Sequence, residues 1–207
     1  ARGLSPVALI EHDQPLGYGA ALTTGFRFAI DEGFDAIVSM DADLQHEPEI
    51  VGDLVAGLNE ADIVTGSRWH PDSVGTTGAP AERLEMNRRM AELVYSMTGI
   101  ELTDAMCGFR AYRRSALAAL DLREPGYGLA CEVWGRTAQL GLAVDELPVA
   151  LIYHDMGRTF PGPLRDPEAR FAYYREVLAR AATRPSTSDD LQGEPLTVES
   201  RAANTMA

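Results

Sequence analysis

Asp41, Asp43 and Gln45 stand at alternate positions in "FDAIVSMDADLQHEPEI", just after the apolar run from Phe34 to Met40. Three kinds of site use such hard oxygen donors: a divalent-metal site for a phosphorylated substrate, a phosphatase nucleophile loop, or a calcium loop. A calcium loop of the helix–loop–helix kind needs a preceding helix, a Gly at its sixth position and a Glu at its twelfth. Here a strand-like run precedes, and those positions hold His46 and Gly52. A phosphatase nucleophile loop follows its second Asp with a small hydrophobic residue and then Thr or Val, which Leu44-Gln45 fits poorly. Mg2+ or Mn2+ fits better, because one or two carboxylates hold it and leave positions open for phosphate oxygens. In an extended segment alternate side chains point the same way, so the three can converge. Asp-x-Asp alone also serves turns and helix caps. His46 next to them either caps the helix beside Pro48 or touches substrate.

Positive groups follow. Arg68 in "IVTGSR" ends a short apolar run, where its guanidinium either forks onto phosphate oxygens or makes a surface ion pair. Gly17 and Gly19 in "LGYGAAL" either bring a helix N-terminus up to a nucleotide or form a plain turn.

The elements that position these residues are legible in the apolar pattern. Val7 to His12 reads as a strand, followed by a helix with Leu22, Phe26, Ala29 and Ile30 on one face and Gly33 as its stop. Phe34 to Met40 reads as a strand buried on both faces. Pro48 opens a helix carrying Ile50, Leu54, Val55 and Leu58, and "ADIVTGS" is another buried strand. Alternation of strand and helix predicts a mostly parallel sheet flanked by helices, with ligands at the carboxyl ends of the strands. Further helices are expected over about 81–98, over 129–140 and in "DPEARFAYYREVLARAA", with a strand in "LAVDELPVALIYH" and a loop-rich stretch through "TDAMCGFRAYRR". Residues 1–182 are expected to form the folded domain and 183–207 a disordered polar tail.

The 207-residue chain is 45% hydrophobic with a formal net charge of −13, which argues against nucleic acid or an anionic bilayer as a general partner. Cys107 and Cys131 form no CxxC pair and read as buried thiols in a reducing cytoplasm. No apolar run has the roughly 18 to 20 residues of a spanning helix.

"GYGAALTTGF", "VSMDADLQHEPE", "IVTGSR", the Arg and Asn of "RLEMN" and "TDAMCGFRAYRRSAL" occur in the order and spacing of family 2 glycosyltransferases with the GT-A (Rossmann-like) fold. Over about Val7 to Leu151 the chain most resembles the branch of polyprenyl- or dolichol-phosphate mannosyl and glucosyl synthases. The resemblance implies a nucleotide diphosphate sugar (GDP-mannose or UDP-glucose) as donor, a polyprenyl phosphate or other acceptor, and Mg2+ or Mn2+ as cofactor. It assigns the metal to Asp43 and Gln45, with Asp41 on nucleotide or metal. Arg83 corresponds to a second phosphate-facing Arg, with Arg88 and Arg89 as neighbouring alternatives, and Asn87 to an Asn one helical turn later. Asp104 corresponds to an Asp near the acceptor, as base, as orienting group or merely as a loop cap. Arg110 is expected to support the site by pairing with Asp104. Glu132 sits at the acceptor side or in the core, beside Leu129, Val133 and Trp134. His154, Arg158 and Arg165 fall where a mobile basic loop is implied. The first strands of similar proteins, which grip base and ribose, are missing, so the fold is expected to be N-terminally incomplete. The location implied is cytoplasmic, with peripheral membrane contact or homo-oligomer formation open. The alternative is a non-catalytic, truncated ligand-binding or interaction module.

Overall fold

The computed structural model describes residues 7–75, 80–152 and 160–185. Among these residues four strands form one sheet in the order β1-β3-β2-β4: β1 (Ala36–Ser39), β2 (Ile63–Ser67), β3 (Arg110–Arg113) and β4 (Val144–Pro148). β1, β2 and β4 run in the same direction, while β3 enters antiparallel between β1 and β2. The sheet is therefore mixed. Among the described residues six α-helices surround it: α1 (Tyr18–Asp31), α2 (Val51–Gly57), α3 (Ala81–Thr98), α4 (Arg114–Leu120), α5 (Leu129–Leu140) and α6 (Pro167–Thr183).

Alternation along the strands splits the core between two faces. Ile63 and Tyr112 point into a large cluster with Phe26 of α1, Met90 and Val94 of α3, Trp134 of α5 and Leu178 of α6. Val64 and Ala111 point the other way, toward Leu54, Leu58, Phe109 and Val149. α5 and α6 thus bury their apolar faces together on one side, and α2 covers the other.

Two expectations are corrected. Val7 to His12 forms no strand, and Val7 and Leu9 are exposed. A strand exists only by pairing, and this segment is instead tied to α1 by a hydrogen bond between His12 Nε2 and Thr24 Oγ1 of 2.9 Å. β3 is the converse case, a strand inside the stretch expected to be loop-rich. Its polar look misleads because Arg110 is buried, with its guanidinium 4.4 Å over the Trp134 ring. Arg110 Nε donates to Thr65 Oγ1 of β2 at 3.1 Å and Nη2 to the Ala105 carbonyl in the loop before β3 at 3.1 Å, so the buried guanidinium keeps hydrogen-bond partners. The expected tail from residue 183 lies almost wholly outside the described residues.

Both cysteines are free and buried. Burial disfavours the thiolate, pushing Cys107 up to about 11 and Cys131 up to about 12. At pH 8 neither is expected to react with a colorimetric thiol reagent in the native protein. Both should react after denaturation in urea, and rapid native labelling would contradict the packing around them.

Candidate functional site

The strand β1 ends at Ser39, whose hydroxyl donates to the Gly108 carbonyl at 2.8 Å, and the chain then bends instead of continuing extended. Leu44 adopts a left-handed φ of 63°. Gln45 N–H donates to Asp43 Oδ1 at 3.1 Å, closing a turn, and Asp41 N–H donates to His46 Nδ1 at 3.3 Å. The convergence of Asp41, Asp43 and Gln45 on one cavity of about 270 Å³ comes from this bend, not from strand alternation. His46 stacks on Phe109 at 4.9 Å, and burial lowers its pKa, which keeps Nδ1 an acceptor. It neither caps the turn at Pro48 through its side chain nor lines the cavity.

Tyr18, from the first turn of α1, completes this wall. Its hydroxyl donates to Asp41 Oδ1 at 3.0 Å, and its ring stacks on Tyr127 at 5.5 Å. Burial and then the Asp41 charge hold that hydroxyl well above the ordinary phenol value, so it remains a donor.

Arg68, Arg83 and Arg170 line the same cavity. Arg68 follows β2 and forks onto Asp104, Nε to Oδ2 at 2.6 Å and Nη2 to Oδ1 at 3.0 Å. This corrects the expected pairing of Asp104 with Arg110. Asp104 is 0% exposed and also accepts from the backbone N–H groups of Arg68 and Met106, at 3.2 and 3.1 Å. Its position is that of a buried anchor for Arg68, away from the cavity surface. Glu146 of β4 holds the loop beneath it, accepting from Thr103 N–H at 2.7 Å and Asp104 N–H at 3.0 Å.

Of the three arginines near "RLEMN", only Arg83 lines the cavity. Arg88 pairs with Glu85 and Glu92 on the surface, and Arg89 with Glu168. Asn87 is buried, with Nδ2 donating to the Thr103 carbonyl at 2.8 Å, and it lines the cavity wall. Arg110 lines the cavity floor.

Of the two places open to Glu132, the structure gives it the core and not the acceptor side. It is buried away from the cavity and accepts from Arg123 N–H at 2.8 Å and Glu124 N–H at 2.7 Å while pairing with Arg184. Its work is to hold the loop before α5. Gly17 and Gly19 are also placed differently from a nucleotide-facing turn: α1 docks there on the 124–126 loop, and Ala20 N–H donates to the Pro125 carbonyl at 3.1 Å. A Cβ on Gly19 would stand 2.2 Å from the Glu124 carbonyl oxygen, and one on Gly17 2.4 Å from that of Pro125. Gly19→Ala is therefore expected to destabilise the fold by roughly 1–3 kcal/mol, the usual cost of overpacking, read from the urea midpoint. Arg165 is exposed, and His154 and Arg158 lie outside the described residues.

Tyr18, Tyr127, Glu146 and Arg170 were not singled out by the sequence. Tyr18 alone carried a signal, its place between the two glycines of "LGYGAAL".

Among the described residues no three His, Cys, Asp or Glu side chains gather as a metal cage. The donor set is instead two carboxylates and an amide oxygen on one side of a cavity. That set fits Mg2+ or Mn2+, which take hard oxygen ligands and keep positions for substrate oxygens.

The chain is placed by its sequence: it belongs to glycosyl transferase family 2, whose sequence profile matches residues 1–121. The undecaprenyl-phosphate mannosyltransferase of Micrococcus luteus is 35% identical over 151 residues, 69% of this chain and 60% of that protein. The polyprenol monophosphomannose synthase of Mycolicibacterium smegmatis is 29% identical over 155 residues, 73% of this chain and 58% of that protein. The chain thus spans about three fifths of the length of these relatives. Glucosyl-3-phosphoglycerate synthase from Mycobacterium tuberculosis, solved with Mn2+, uridine diphosphate and phosphoglyceric acid, superposes with a TM-score of 0.59 at 21% identity, covering 84% of this chain and 57% of that one. The mixed sheet with flanking helices is the GT-A glycosyltransferase fold.

Proposed function

We propose that the protein transfers a hexose, mannose or glucose, from a nucleotide diphosphate sugar to a polyprenyl phosphate, with inversion at the sugar C1. The observation that carries this reading is the cavity where Asp41, Asp43 and Gln45 meet Arg68 and Arg83. Asp41, Asp43 and Gln45 would hold Mg2+ or Mn2+, which when bound supplies positive charge against the departing diphosphate. Tyr18 orients Asp41. Arg68, locked on Asp104, presents a fixed guanidinium, and Arg83 adds a second positive group, so that two anionic partners meet without a large rearrangement. A phosphate acceptor is already largely ionised near pH 7 and needs no general base. This agrees with the burial of Asp104, which anchors Arg68.

The test is incubation of the protein with Mn2+, undecaprenyl phosphate and either GDP-mannose or UDP-glucose. A lipid-linked hexose is expected from one donor only. Release of free sugar alone, or no product from either donor, would overturn the acceptor or the donor assignment respectively.

A further inference from the structure

Tyr18 does more than line the cavity. Its hydroxyl takes one oxygen of Asp41, Oδ1 at 3.0 Å. The other oxygen, Oδ2, lies beside Gly108, where a Cβ would stand 3.1 Å from it and 3.2 Å from the Tyr18 hydroxyl. The missing side chain at Gly108 is what lets hydroxyl and carboxylate meet there.

Tyr18 is also held against swinging away. Its ring lies flat on Tyr127, with 10° between planes, and Tyr127 meets the Phe160 ring edge-on at 5.3 Å. On either side in sequence, Gly17 and Gly19 seat the backbone against Pro125 and Glu124. The 124–128 loop is fixed in turn, since Tyr173 donates to Glu124 Oε1 at 2.6 Å and accepts from Gly128 N–H at 3.1 Å.

We propose that Tyr18 is a positioning residue that sets the metal preference of the site: by donating to Oδ1 of Asp41 it takes one lone pair of that oxygen and weakens it as a metal ligand, so that the carboxylate offers chiefly Oδ2. The inference rests on the metal reading of Asp41 given above. Its physical basis is the difference between the candidate ions. Mg2+ demands near-ideal octahedral geometry and takes a carboxylate through one oxygen, while Ca2+ accepts six to eight oxygens, including bidentate carboxylates. A carboxylate that binds chiefly through one oxygen favours the smaller ion. Removing the hydroxyl restores Oδ1 as a full ligand and favours binding through both oxygens.

Calorimetric titration with Mn2+ and with Ca2+, on the unaltered protein and on Tyr18→Phe, tests this directly. Tyr18→Phe is expected to weaken Mn2+ binding about 10-fold, the usual scale for loss of a group that orients a metal ligand, and to leave Ca2+ binding unchanged or tighter. The Mn2+/Ca2+ affinity ratio should therefore fall by about 10-fold or more. Tyr127→Leu, which keeps the hydroxyl and removes the stack, should give an intermediate ratio. Equal shifts for both ions in Tyr18→Phe, or no shift in either, would overturn the inference while leaving the metal site standing. Failure of the unaltered protein to bind Mn2+ would overturn the metal reading, and this inference with it.

Discussion

Asp43→Asn is expected to lower hexosyl transfer by roughly 10²–10³-fold, the scale on which removal of one group that stabilises developing charge is felt. The choice of Asn matters. Asp43 Oδ1 accepts the Gln45 N–H at 3.1 Å, and an Asn oxygen can accept the same bond, so the turn through Leu44 is kept. What is lost is the negative charge that the proposed metal would need. Asp43→Ala removes both charge and turn, and should be as inactive but less stable by about 1 kcal/mol, the net value of one hydrogen bond. Measured side by side, kcat and urea midpoints separate the roles. Near-normal transfer by Asp43→Asn, with Mn2+ still bound, would remove Asp43 from the metal site.

The helices around the site were legible because their punctuation is local. α3 begins after Pro80 and ends before Gly99, and α5 lies between Gly128 and Gly141, so apolar period and terminators agree within a few residues. β3 was not, since two of its four residues are arginines, which the pattern rules read as loop. Only the placement of Arg110 between Ser39 of β1 and Thr65 of β2 makes a strand of them. The metal-binding candidates were found by residue type, yet the bend that gathers them depends on the left-handed Leu44, which no sequence rule foretells for a leucine. The partner of Asp104 was misassigned for a related reason. Arg110 is near it in sequence, whereas Arg68 reaches it because the end of β2 passes the 103–106 loop that Glu146 holds from β4. Contacts between distant segments are set by the sheet order, which periodicity does not encode.

That pairing gives the second large effect. Arg68→Ala is expected to destabilise the protein by about 3–5 kcal/mol, the usual result of removing one partner from a buried ion pair. Asp104 is the less accessible partner, its side chain 0% exposed against 20% for Arg68. Loss of the guanidinium removes two hydrogen bonds from the carboxylate, which keeps the backbone N–H groups of Arg68 and Met106 but cannot turn to water. Asp104→Asn should cost less, because an amide oxygen can still accept from Arg68 and no buried negative charge is stranded. The double variant Arg68→Ala, Asp104→Asn should recover part of the loss, giving a coupling of about 1–3 kcal/mol in a thermodynamic cycle. Urea unfolding of the four proteins provides the numbers. The pairing also decides how nucleotide affinity of Arg68→Ala is to be read: weak binding supports phosphate contact by Arg68 only if the double variant, which recovers part of the stability, binds equally weakly. Additive effects, with no coupling between the two positions, would show that the fork onto Asp104 does not hold Arg68 in solution.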